Sequence, residues 1–384
     1  MNKDTLLGHV ARPKPGRVPV NTPVQRASTI LFETVADFEA AQKTRAERDV
    51  LFYGTYGTET SFAFSTALAA LENAYGAIAV SSGLAAIIAT IQAFVGSGQH
   101  LLIPDSVYHP GRIACDGVLK ELGIETTYYD PLIGSGIAEL IKPNTRLIYM
   151  ESPGSMTFEV QDVPAIVAVA RSRDIPTAID NTWATGYYFN AIAHGVDVSI
   201  HAATKYIAGH SDVILGGIVT NERYFAQVRR AVAQLGYTAS PDDCWLGLRG
   251  LRTLGVRLSA HAKRALAVAE FLSTRPEIER VLYPALPGAP GHALWKRDFQ
   301  GATGLFSFLF KREISERAAI AMIERLKLFG LGASWGGYES LVLLSRPART
   351  SPRWKDAGAI VRLHVGLEDP VDLIEDLRAA FTTL

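Results

Sequence analysis

Ala77-Ile78-Ala79-Val80-Ser81-Ser82-Gly83-Leu84, continuing as a helical pattern to Phe94, sets the fold class: a short apolar run, a serine–glycine turn, then a helix. The unit recurs. His100 to Pro104 precedes a helical pattern from Gly111 to Leu122, and further apolar runs stand at Ile124 to Tyr129, Arg146 to Met150, Thr177 to Ile179, Val196 to Ile200 and Val213 to Val219. Apolar runs separated by helices predict βαβ units around a largely parallel sheet buried on both faces, an α/β fold.

On the N-terminal side of this core, residues 1–57 alternate polar clusters with Pro13, Pro15, Pro19 and Pro23. That composition predicts an extended arm in which only Val35 to Arg48 is helical. Beyond residue 250 the rhythm changes again. A helical pattern from Arg252 to Thr274 is followed by the run Gly304 to Phe310, a helix near Ser315 to Leu326, runs at Ser340 to Leu344 and Ile360 to Val365, and a last helix from Pro370 to Phe381. The expected division is therefore an arm over 1–57, an α/β domain over 58–250 and a smaller α+β domain over 251–384.

Lys and Arg total 38 against 38 Asp and Glu, and no basic cluster is dense enough to track phosphates, so nucleic acid is not an expected partner. No apolar run approaches a membrane span. The first ten residues lack the apolar stretch of a secretory signal, which makes the cytoplasm the expected compartment. Cys115 and Cys244 lie far apart without metal-ligand spacing, so both are expected to be buried reduced thiols and no metal site is expected.

The ends of the predicted strands carry the chemistry, since α/β sheets hold ligands beyond their strand carboxyl ends. Asp180 closes the run Ile175 to Ile179, and Lys205, within Thr204-Lys205-Tyr206-Ile207-Ala208-Gly209-His210-Ser211, follows the run ending at Ile200. Singly, a lysine is a surface charge and an aspartate caps a turn. Together they are the pair that pyridoxal phosphate demands, an amine for covalent attachment and a carboxylate for the ring nitrogen. Gly83 and Leu84, opening a helix after Ser81-Ser82, present backbone N–H groups suited to a phosphate, to which the Thr204 hydroxyl could add a donor.

Read with Glu151-Ser152-Pro153-Gly154-Ser155 and Ser334-Trp335-Gly336-Gly337-Tyr338-Glu339-Ser340, the Lys205 segment resembles the pyridoxal-phosphate enzymes of cysteine and methionine metabolism. The resemblance runs nearly end to end, through Asp162 to Val167, Arg249 to Leu258, Pro284 to Gly288 and Arg362 to Asp369. It implies the fold-type I transferase-like architecture. It also implies a homo-oligomer, a homotetramer with sites shared across a dimer interface, in which the arm crosses to a neighbouring subunit.

By the same resemblance Tyr108 stacks over the pyridine ring with its phenol near the leaving thiol. Arg362 grips the substrate α-carboxylate with a planar fork, Ser334 and Trp335 complete that pocket, and Tyr53 reaches the neighbouring subunit's phosphate. Thr55 departs from the family, which usually has an arginine there. Either Tyr53 and the helix end suffice, or another arginine substitutes, or the cofactor is held less tightly. Trp335, with Ala202 and Ser155, points to the branch acting at Cβ. The activity so implied is β-elimination of L-cystathionine and related cysteine S-conjugates to homocysteine or another thiol, pyruvate and ammonia, in methionine biosynthesis. A γ-elimination or γ-replacement, a racemase side activity, and a non-catalytic regulatory role stand as alternatives.

Overall fold

A computed structural model describes residues 1–354 and 357–384. Seven strands, β1 (Gly76–Val80), β2 (His100–Pro104), β3 (Glu125–Tyr129), β4 (Thr145–Glu151), β5 (Thr177–Asp180), β6 (Val198–His201) and β7 (Gly216–Thr220), form one sheet in the order β1-β7-β6-β5-β4-β2-β3. Only β7 runs against its neighbours β1 and β6, so the largely parallel sheet expected from the apolar runs is present.

Period-2 alternation within the central strands feeds a core on each face of the sheet. Leu101, Ile103, Leu147, Tyr149, Ala178, Val198 and Ile200 pack on one face with Ala86 and Ile87 of the helix Gly83–Phe94. Leu102, Ile148, Met150 and Ile179 point to the other face and join a second core. That core also contains Phe306, Phe308 and Phe310 of β9 (Leu305–Phe310), in a five-stranded sheet with β8 (Ile278–Leu282), β10 (Gly330–Leu331), β11 (Leu341–Ser345) and β12 (Ile360–His364), ordered β10-β11-β12-β9-β8. The helices Leu254–Ser273 and Pro370–Phe381 supply Ala265, Val268, Leu373 and Leu377 to the same core. One continuous apolar layer therefore fixes the second sheet relative to the carboxyl ends of the first.

Three expectations are corrected. The arm contains a helix at Lys3–His9, where Leu7 is buried and its carbonyl, with that of Val10, accepts from Arg252. The helix expected over Gly111 to Leu122 starts at His109 and is α-helical only to Ala114; Cys115–Leu119 widens into a π turn, with Gly117 at φ −105° and ψ −107°. The run from Val213 becomes strand only at Gly216, because Leu215 turns aside to bond Thr204 through its N–H (2.9 Å) and its carbonyl (3.0 Å to Thr204 N). Cys115 and Cys244 are both buried and unpaired, and burial pushes each thiol up to about 12. No helix among the described residues is long and apolar enough to cross a membrane, and no group of His, Cys, Asp and Glu among them could hold a metal.

Candidate active site

A cavity of about 700 Å³ opens at the carboxyl ends of β2, β4, β5 and β6, roofed by the second sheet. Its lining includes Gly83, Leu84, Tyr108, Asp180, Thr204, Lys205, Ser334, Trp335 and Arg362. Nine of the ten residues singled out in the sequence thus meet in one place. Tyr53 does not: it is 45% exposed on the arm and outside this lining.

The Lys205 segment is a tight turn. Lys205 N donates to Ala202 O (3.0 Å) and Gly209 N to Lys205 O (2.8 Å), while the buried Arg257 guanidinium donates to the Tyr206 carbonyl (2.6 Å) and the Gly250 carbonyl (2.7 Å). Ala202 N donates to the Thr182 hydroxyl (2.8 Å), tying the turn to the end of β5. So anchored, the segment aims the Lys205 amine at the Ser334 hydroxyl, 2.5 Å away, with the amine 5.4 Å from the centre of the Trp335 ring. Burial, reinforced by the Arg362 charge and opposed by Asp180, pushes the amine down to about 8. Near neutral pH about a tenth of the amine is therefore neutral, far more than for a free lysine.

Asp180 lies at the end of β5, and its carboxylate accepts from Thr182 N (2.9 Å). Burial raises its pKa from the ordinary carboxylate value, outweighing the Thr182 hydrogen bonds and the nearby charges of His201 and Lys205 that act the other way. Beside it in register stands Glu151, which ends β4 and accepts from Tyr108 N (2.7 Å). Burial first and the Asp180 charge second push Glu151 well above the carboxylate range. Glu151 was not singled out for a role in the sequence, though it closes an apolar run as Asp180 does.

Ser82 caps the helix Gly83–Phe94 by accepting from Ala85 N (3.0 Å), leaving the N–H groups of Gly83 and Leu84 without intrahelical partners. A Cβ at position 83 would stand 2.5 Å from the Ala202 methyl, so only glycine lets the helix end approach the lysine turn this closely. The Thr204 hydroxyl is engaged with Leu215, donating to its carbonyl (3.2 Å) and accepting from its N–H (2.9 Å). A bond from Thr204 to a phosphate therefore requires the hydroxyl to give up the Leu215 carbonyl, while the bond it accepts from Leu215 N–H can stay.

Tyr108 is 39% exposed at the cavity mouth, and its phenol is pushed up by burial and by the negative charges of Asp180 and Glu151. Its loop is pinned by buried Asp105, which accepts from Thr350 N (2.8 Å), the Thr350 hydroxyl (2.7 Å), Ser351 N (3.1 Å) and Arg112 (2.6 Å). Arg362 lies centrally in the second sheet, on β12 between β11 and β9. It donates to the Ser334 carbonyl (2.9 Å), and burial lowers it to about 10, so it stays charged at neutral pH. Ser334, held at φ +83°, therefore bridges Lys205 through its hydroxyl and Arg362 through its carbonyl.

These residues fit pyridoxal phosphate. A buried carboxylate whose hydrogen bonds come from a neutral residue calls for a cation such as a protonated ring nitrogen; an amine brought down to about 8 is more readily available in its neutral form for an aldehyde; and a glycine-lined helix end suits a phosphate. This fold and site define a pyridoxal-phosphate-dependent enzyme of amino-acid chemistry. The family described as Cys/Met metabolism PLP-dependent enzyme matches residues 4–382, and the chain belongs to it. It is 43% identical to cystathionine beta-lyase MetC of Escherichia coli K12, over 99% of this chain and 98% of that protein. It is also 43% identical to the cystathionine beta-lyase of Bordetella avium, over 98% and 96% respectively. The crystal structure of metB from Corynebacterium glutamicum superposes with a TM-score of 0.90 at 30% identity, covering 100% of this chain and 98% of that one.

Proposed function

We propose that this chain cleaves L-cystathionine by β-elimination, as its relatives' names indicate for them, giving homocysteine, pyruvate and ammonia and serving methionine biosynthesis. The observation that carries the reading is the Ser334 bridge, which holds the buried lysine and a carboxylate-binding arginine on either side of one residue. Bound pyridoxal phosphate would supply an electron sink for the substrate carbanion.

The chain's own residues do the rest. Gly83 and Leu84 would hold the phosphate through their N–H groups, and Asp180 would hold the ring-nitrogen proton. Arg362 exchanges the Ser334 carbonyl for the substrate α-carboxylate, which leaves the Cα–H facing Lys205. The Lys205 amine takes the Cα proton, and the Cβ–S bond breaks with its electron pair on sulfur. Tyr108, at the cavity mouth, would stack over the ring of the bound cofactor and offer its phenol as the proton donor to the departing sulfur. Water supplies the oxygen of pyruvate as the nitrogen leaves as ammonia.

The exposed apolar residues of the arm, Leu31 (91%), Val35 (75%) and Phe38 (41%), support a homo-oligomer, which we take to be a homotetramer. In that assembly the arm over 1–57 delivers Tyr53 to a neighbour's phosphate, 58–250 hold the cofactor and 251–384 close the substrate pocket. The proposed compartment is the cytoplasm. The test is the keto-acid released from L-cystathionine by the cofactor-loaded enzyme: pyruvate is expected, and 2-oxobutyrate would show cleavage at Cγ instead.

A further inference from the structure

Strand alternation puts Arg362 and His364 on one face of β12, with Leu363 turned into the core. Along the loop they hold successive points. Arg362 takes the Ser334 carbonyl; His364 Nε2 lies 3.1 Å from Gly336 N and 3.0 Å from the Gly337 carbonyl; Leu367 N donates to Tyr338 O (2.7 Å); and Glu368 accepts from Ser340 N (2.7 Å). The loop is packed as tightly on its other side. Gly336 sits at φ +93°, and a Cβ there would stand 2.8 Å from the Lys205 carbonyl carbon and from Tyr206 N. Moving Gly336 therefore moves Ser334 against the Lys205 turn.

We propose that His364 is a positioning residue for the α-carboxylate pocket, its Nε2 setting where the Ser334 loop stands between Lys205 and Arg362. The inference rests on the carboxylate role of Arg362 proposed above. A neutral imidazole nitrogen either accepts from Gly336 N–H or donates to the Gly337 carbonyl, never both. Ordinarily a bond at the other ring nitrogen fixes the choice. His364 Nδ1 is buried without a protein partner, and the adjacent His261 ring, 5.3 Å away, spends its own Nδ1 on the Val365 carbonyl (2.9 Å). Both tautomers thus remain open to His364, and each favours a different seat for the loop. The need for two seats is plain in the chemistry: Ser334 must release the Lys205 amine, and its carbonyl must release Arg362, when the substrate carboxylate arrives. Burial, with His261 acting the same way, pushes His364 down to about 3, so the exchange is between neutral forms and brings no pH dependence of its own.

The test uses cofactor-loaded enzyme and L-alanine, an α-amino acid with no β leaving group, bound in a calorimeter. His364→Leu should weaken L-alanine and raise KM by about tenfold, with kcat changed less than about threefold and cofactor content intact. His364→Gln, which restores one donor and one acceptor, should recover most of that loss without altering the pH profile. In the wild type, the ring ¹⁵N shifts of His364 should move when L-alanine binds, a readout that stands if the leucine variant does not fold. Unchanged L-alanine affinity in His364→Leu, loss of kcat without a change in KM, or ¹⁵N shifts indifferent to the ligand would each overturn the proposal. If instead Arg362→Lys leaves L-alanine affinity untouched, the carboxylate reading of Arg362 fails first, and the two failures are told apart.

Discussion

Exchanging the Lys205 amine for a methionine thioether should stabilise the cofactor-free protein at neutral pH, although it abolishes covalent attachment. The amine is pushed from 10.5 to about 8, chiefly by burial. Below the folded value the amine is charged in folded and unfolded chains alike, and the folded chain carries the whole cost of burying that charge. At 1.36 kcal/mol per pH unit the cost is about 3 kcal/mol. Losing the bond to Ser334 subtracts about 1 kcal/mol, leaving a net gain of roughly 2 kcal/mol for Lys205→Met. Because the folded value lies below the unfolded one, the unfolded chain binds more protons between about pH 8 and about pH 10.5, and wild-type stability rises across that window. The advantage of Lys205→Met must shrink over the same range and vanish above it. Urea unfolding of both stripped proteins, at neutral pH and near the upper end of the window, measures the difference directly. A gap of equal size at both pH values, or a less stable variant at neutral pH, refutes the reasoning.

Asp180→Asn should retain cofactor yet lose at least about a hundredfold in turnover, since an amide does not hold the ring-nitrogen proton as a carboxylate does; steady-state kinetics beside cofactor absorbance checks this. Arg362→Lys should raise KM by about tenfold or more while leaving the cofactor dissociation constant within a factor of about three, because a lysine lacks the planar two-donor fork; equal damage to both would move Arg362 out of the carboxylate pocket. Thr55→Arg should slow cofactor loss on dialysis, corresponding to about tenfold or more in affinity if the new guanidinium reaches a phosphate. Unchanged loss would mean that the phosphate is already satisfied.

Short apolar runs separated by helical patterns made most of the large sheet legible. All seven of its strands coincide with short apolar runs, and the helix after Gly83 begins where the serine–glycine turn places it. What sequence reading lost lies where a long-range contact overrides local pattern. Nothing near Leu7 announces that Arg252 will cap its helix, and nothing near Val213 announces that Leu215 will turn aside to Thr204. In the small domain β8 escaped notice, since Glu279 and Arg280 interrupt its apolar pattern at a bulge against β9. In the candidate site, strand-end residues that line the cavity were singled out from the sequence. Their supports, Thr182, Arg257 and His364, were not, because each acts through backbone atoms that no motif displays.

The anchoring of the N-terminal helix also has a consequence for how the chain is made. Leu7 and Arg252 meet only after 245 further residues have been added, and Lys3 finds its carbonyl partner on Gly186 (3.3 Å) nearly as late. At about 5–20 residues per second, the ribosome needs roughly 12–50 s to cover that interval. Throughout it, the Lys3–His9 helix carries an apolar leucine with nowhere of its own to go. The Lys3–His9 helix is thus seated only after residue 252 has been made, and a nascent chain halted before that point presents the helix to whatever chaperone or neighbouring chain is at hand.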